Sequence, residues 1–202
     1  MNFIICYITN YKMPKLYFRY GTMNSSKTAN LLMVAHNYKS QGKTVTLIKP
    51  DIDTRTDVNM ICSRAGFSMI ADVVATPTTN LLETQQIHTP DCILVDECQF
   101  LTPEQIEQLR ELTKFVPVIC YGLRGDYKTR LFPGSQRLME LADNIEEVKT
   151  ICVECGKKSI INAKFCVNER EEKMIVREGS SEPDIGSEEK YQAMCWSCYS
   201  NN

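Results

Sequence analysis

The sequence predicts an α/β fold with a largely parallel sheet, followed by a smaller C-terminal unit. Three observations lead there. Short apolar runs at 15–20, 45–48, 92–95 and 116–121 alternate with segments of helical spacing. That is the pattern of parallel strands covered on both faces. The first run is followed by GTMNSSKT, one residue away from the phosphate-binding pattern G-x-x-x-x-G-K-[ST]. Beyond residue 150 the long apolar runs stop and two C-x-x-C pairs appear.

Each element has a local reason. Residues 15–20 (KLYFRY) are aromatic and apolar enough for a buried strand. Residues 29–38 carry Leu31, Leu32, Val34, Ala35 and Tyr38 at helical spacing. The run 45–48 follows Gly42 and ends in the polar loop containing Asp53, Thr54 and Arg55. Residues 56–80 give a mixed signal, with a short strand near 69–74. The run 92–95 ends in Asp96-Glu97. A helix then opens with Thr102 as N-cap, Pro103 at its first position and Gln105 completing a capping box, and runs to about residue 115. A strand over 116–121, a glycine-containing loop and a helix near 135–142 complete the alternation. The expected organisation is an N-terminal extension at 1–14, a phosphate-loop α/β domain at 15–150 and a zinc-binding domain at 151–202.

Composition narrows the class. The chain has 202 residues, 43% hydrophobic and 24% charged, which is globular. Its net charge of −2 gives no bulk basic field to gather nucleic acid. The apolar N-terminus ends at Lys12, well short of the ~20 residues that span a bilayer. It lacks a basic leading region and a small-residue cleavage site, so the expectation is a cytoplasmic protein with no membrane partner.

Residues 21–28 are Gly21, Thr22, Met23, Asn24, Ser25, Ser26, Lys27 and Thr28. Between a strand and a helix, such a loop points backbone N–H groups at a polyphosphate. Lys27 adds a positive charge for the outer phosphates, and the Thr28 hydroxyl faces a magnesium ion. Ser26 stands where the pattern has glycine. A serine fits if φ stays negative, and replacing it by glycine is expected to improve nucleotide handling. Asp96 and Glu97 follow a buried strand, where ligands of parallel sheets bind. Asp96 can hold magnesium through water, and Glu97 can accept a proton from an attacking hydroxyl. The competing reading of this acidic pair is a solvated turn.

Of ten cysteines, Cys6, Cys62, Cys92, Cys98, Cys120 and Cys166 are scattered. Cys152 with Cys155 and Cys195 with Cys198 form two knuckles flanking a lysine-rich segment. Four thiolates in a tetrahedron make a closed structural Zn2+ site.

Together GTMNSSKT, Asp53-Thr54-Arg55, DECQFL at 96–101 and Gly122-Leu123-Arg124 resemble the cellular-type (type II) thymidine kinases, in order and at fitting spacing from residue 15 to 198. The resemblance implies phosphoryl transfer from ATP, with Mg2+, to the 5′-hydroxyl of thymidine or deoxyuridine. It implies Glu97 as the catalytic base. Residues 21–28 with Asp96, Glu97, Cys98 and Gln99 would form the ATP site, and Asp53 and Arg55 would lie near phosphates and metal. Met23, Phe100, Tyr127 and Phe132 would line the base pocket. The segment between the knuckles would be a lasso over the nucleoside, with Glu182, Pro183, Asp184, Ile185 and Gly186 followed by Tyr191. Residues 174–177 would be one strand of the lasso's hairpin. The family further suggests a homotetramer. Two other readings stay open on the residues alone: a weak or inactive nucleotide-binding relative, with Ser26 as the lesion, and a zinc-ribbon nucleic-acid-binding protein.

Overall fold

The computed structural model describes residues 13–52, 59–87, 90–167, 171, 173–179 and 190–201. In chain order the elements are β1 (Leu16–Tyr20), α1 (Lys27–Ser40), β2 (Val45–Pro50), β3 (Met60–Cys62), β4 (Ser68–Ile70), β5 (Val73–Ala75) and β6 (Cys92–Val95). They continue with α2 (Pro103–Leu112), β7 (Val118–Gly122), α3 (Pro133–Leu141) and β8 (Asn144–Glu147). The last are β9 (Ile161–Val167), β10 (Lys173–Val176), β11 (Tyr191–Met194) and α4 (Trp196–Asn201).

Six strands form one parallel sheet in the order β5-β2-β6-β7-β1-β8. Alternation along each strand feeds two cores. Ile93 and Val95 of β6 join Phe18, Ile48, Val118 and Cys120 on one face, covered by Ile106 and Leu109 of α2 and Leu138 of α3. Cys92 and Leu94 turn to the other face, against Leu31, Leu32 and Ala35 of α1. Both faces are buried, so these strands read as continuous apolar runs. The capping box at Thr102 and Gln105 forms as the sequence predicts.

Departures from the sequence reading have local causes. The segment near 69–74 is two strands: β4 pairs antiparallel with β3 in a separate ribbon, and β5 edges the main sheet. The helix expected to reach residue 115 ends at Leu112, where the side chain of Thr113 bonds back to the Arg110 carbonyl. Strand β8 has no apolar run to announce it. Among the described residues it pairs only with β1, and as an exposed edge it needs no hydrophobic pattern.

After residue 150 a second sheet forms, antiparallel, in the order β10-β9-β11. Its small core holds Ile161, Ala163, Met194 and Tyr199 around Cys152 and Cys195.

Candidate active site

The site lies at the carboxyl edge of β1, β7 and β6. In register, Tyr20 pairs with Gly122 and Val95 with Cys120, so the loops leaving these strands converge. The phosphate loop leaves β1 and runs directly into α1, whose N-terminus faces the same edge. The Lys27 ammonium bends back across the loop, donating to the Thr22 carbonyl at 2.8 Å and the Ser25 hydroxyl at 3.3 Å. The Thr28 hydroxyl donates to the Asp96 carboxylate at 3.1–3.2 Å, joining the two motifs across 68 positions.

Asp96 is 4% exposed and Glu97 9%. A solvated turn would leave both acids in water, so the bland reading of this pair does not hold. Glu97 adopts φ 48°, ψ 38°, a left-handed conformation that costs a non-glycine residue on the order of 1–3 kcal/mol. Gln99 holds its carboxylate: Nε2 donates to Glu97 Oε2 at 2.5 Å, while Gln99 Oε1 accepts from the backbone of Leu123 at 2.9 Å. Gly122 makes room for this bridge. A Cβ there would lie 2.5 Å from Gln99 Oε1 and 2.6 Å from the Cys98 sulfur. Cys98 itself is buried beside Cys120 in the main core, and burial pushes its thiol well up.

Ser26 does not keep the negative φ that would suit a serine. It stands at φ 60°, ψ 25°, in the left-handed region, with Asn24 at φ 63° nearby. Both side chains point to solvent.

The aromatic candidates fall into two groups, to each of which the loop between β7 and α3 contributes one ring. Phe100 and Phe132 meet edge to face at 5.7 Å. Tyr127 and Tyr191 meet at 6.5 Å, with the Lys164 ammonium 5.2 Å from the Tyr127 ring and 5.7 Å from the Tyr191 ring. A bridge between Gly125 and Leu131 closes the loop that carries Tyr127. Met23 is half-buried in the phosphate loop. Residues 174–177, expected in a hairpin strand, contribute β10, which pairs with β9. The chain beyond β10 returns to Tyr127: Lys128 donates to the Gly179 carbonyl, and a Cβ on Gly179 would be 3.1 Å from the Tyr127 hydroxyl. Asp53, Arg55, Glu182, Pro183, Asp184, Ile185 and Gly186 lie outside the described residues.

The ligand atoms of Cys152, Cys155, Cys195 and Cys198 lie within 4.8 Å of one another and can hold a metal ion. Four sulfurs at about 2.3 Å from a tetrahedral centre stand roughly 3.8 Å apart. The Cys155 and Cys195 sulfurs are 3.6 Å apart, which fits zinc and is far too long for a disulfide. Burial opposes ionisation of Cys152, but the backbone N–H groups of Cys195, Cys155 and Glu154 outweigh it and draw this thiol down to about 6.

Three participants had no signal in the sequence. Asn162 and Ser159 touch the phosphate loop from the cysteine-rich unit, and the Tyr199 hydroxyl donates to the Tyr127 carbonyl at 3.1 Å. Each bridges positions far apart in the chain.

Fold and site together define the class: a phosphate-loop α/β protein with an acidic pair at the end of β6, one strand removed from β1, and a four-cysteine centre. The profile of the family described as "Thymidine kinase" matches residues 14–199. The chain therefore belongs to the thymidine kinase family. It is 41% identical over 200 residues to a thymidine kinase of Chromobacterium violaceum, covering 93% of this chain and 98% of that one. Against a thymidine kinase of Legionella pneumophila (strain Paris) the identity is 43% over 189 residues, covering 91% and 88%. Against that of Lactiplantibacillus plantarum it is 40% over 187 residues, covering 91% and 94%. A solved structure of Pif1 helicase from Candida albicans is only loosely alike, with TM-score 0.42 and 12% identity over 67% of this chain and 36% of that one. No helix among the described residues is long and apolar enough to cross a membrane.

Proposed function

We propose that the protein is a thymidine kinase that transfers the γ-phosphoryl group of ATP to the 5′-hydroxyl of thymidine or deoxyuridine. The observation that carries this reading is the juxtaposition of the phosphate loop with a buried, oriented carboxylate. Thr28 bonds to Asp96, and Glu97 beside it is held by Gln99.

In this reading the loop's backbone and Lys27 bind the ATP phosphates. Thr28 and Asp96 are the residues that would hold the magnesium accompanying ATP, which neutralises charge on the transferring group. Glu97 accepts the proton of the 5′-hydroxyl as its oxygen bonds to the γ-phosphorus and the bond to the β-phosphate oxygen breaks, leaving ADP. Gln99 supports that role because its amide donor, itself fixed by the Leu123 backbone, orients the Glu97 carboxylate. Tyr127, Tyr191, Phe100, Phe132 and Met23 supply flat and polarisable surface for a pyrimidine. Cys152, Cys155, Cys195 and Cys198 would hold a structural zinc, which closes the base of the segment between β10 and β11. We divide the chain near residue 150 into a kinase unit and this zinc-binding unit.

Steady-state assay of the purified protein with ATP and thymidine, deoxyuridine or deoxycytidine tests the reading. Thymidine and deoxyuridine are expected to yield monophosphates and deoxycytidine far less. An absence of ATP-dependent product with all three would overturn it.

A further inference from the structure

Two polar side chains of the cysteine-rich unit reach across to the phosphate loop. Asn162, in β9, is 5% exposed. Its Oδ1 accepts from the Met23 backbone N–H at 2.7 Å, and its Nδ2 donates to the Gly125 carbonyl at 3.1 Å. A flipped amide would set donor against donor and acceptor against acceptor, so the orientation is dictated. Ser159 is 2% exposed, and its hydroxyl shares a 2.8 Å hydrogen bond with that of Thr22. The Ser159 hydroxyl also donates to the Thr150 carbonyl at 3.2 Å. With one proton per hydroxyl, Thr22 is then the donor to Ser159.

The placement of these residues ties them to the cysteines. Ser159 and Asn162 follow the first pair, and Ala193, which faces Asn162 in the β9–β11 ladder, comes shortly before Cys195. Both side chains therefore stand on backbone that the two cysteine pairs flank. In the phosphate loop they bond to consecutive residues, Thr22 and Met23, beside a strained stretch in which Asn24 and Ser26 both sit at positive φ. A loop held in such backbone states needs external partners to persist there.

We propose that Asn162 and Ser159 are positioning residues that hold the phosphate loop in its nucleotide-binding shape from the cysteine-rich unit. The proposal rests on the reading of residues 21–28 as the ATP site. Losing the Asn162 amide leaves a buried N–H at Met23 and a carbonyl at Gly125 without their partner. The loop then populates other shapes, and apparent affinity falls by the fraction of competent loop.

The test uses Asn162→Ala and Ser159→Ala in the full chain. Amide hydrogen exchange of peptides covering residues 21–28 is measured without nucleotide, and Mg-ATP and thymidine are each titrated calorimetrically. In the parent protein the loop amides are expected to exchange slowly. Asn162→Ala is expected to speed that exchange and to weaken Mg-ATP by about tenfold, with a smaller change for thymidine. Ser159→Ala is expected to move both readings the same way by less, and it carries the test alone if Asn162→Ala does not fold. Unchanged loop exchange in the folded variants overturns the proposal. So does loss of thymidine affinity with Mg-ATP affinity intact, which would make Asn162 a nucleoside contact. A parent protein that ignores Mg-ATP defeats the functional reading instead, and the exchange measurement still decides whether the loop is held.

Discussion

Replacing Ser26 by glycine separates two effects that the sequence alone merges. Ser26 stands at φ 60°, ψ 25°, at the entrance to α1. A left-handed conformation costs an L-residue with a Cβ about 1–2 kcal/mol, and glycine almost nothing. Glycine also gives the unfolded chain more freedom, which offsets about 0.4–1 kcal/mol. The midpoints of the two ranges leave a net gain of about 0.8 kcal/mol. In a protein of this size that corresponds to a rise in Tm of about 1–4 °C. If the free and the nucleotide-bound loop share this conformation, the strain is a common term, and a common term cannot change affinity. Ser26→Gly is therefore expected to raise Tm while ATP affinity stays within about threefold. The assay is thermal unfolding followed by fluorescence, with Mg-ATP titration alongside. Ser26→Ala is the control: it removes the hydroxyl but keeps the Cβ, and no rise in Tm is expected. A tenfold gain in ATP affinity with unchanged Tm would refute the reasoning, because the serine would then be crowding the phosphates rather than straining the loop.

Other expectations are open to direct measurement. Glu97→Gln is expected to lower kcat by roughly 10²–10⁴-fold with nucleoside binding retained, and a variant keeping more than about a tenth of kcat would remove Glu97 from the role of base. Gly122→Ala pushes a Cβ into Gln99 and Cys98, so a stability loss of about 1–3 kcal/mol is expected together with reduced kcat, and a variant matching the parent in both would contradict the packing argument. Metal analysis is expected to find one zinc per chain, with Cys152, Cys155, Cys195 and Cys198 protected from alkylation until a strong chelator is added. Removing that metal is expected to raise KM for thymidine and ATP together, and four freely alkylated cysteines in the native protein would rule the site out.

What the sequence determined by itself was local. Strands β6 and β7 are legible because burial on both faces forces a continuous apolar run, and the helix after Thr102 is legible because capping chemistry spans three residues. The loop before α1, the acidic pair after β6 and the two knuckles are likewise short patterns whose chemistry fixes their spacing. Tertiary structure alone decided the rest. Strand β8, polar and paired on one side, leaves no hydrophobic trace. The sign of φ at Ser26 depends on how the loop closes onto α1, which residue type does not dictate. The hold of Gln99 on Glu97 requires the turn after β6 to bring both residues under Gly122. The link from Asn162 to Met23 spans 139 positions. Such contacts arise when the two sheets come together, and their partners share no periodicity or spacing along the chain. A sequence shows which groups can bond, while the packing of the sheets against each other selects the pairs that do.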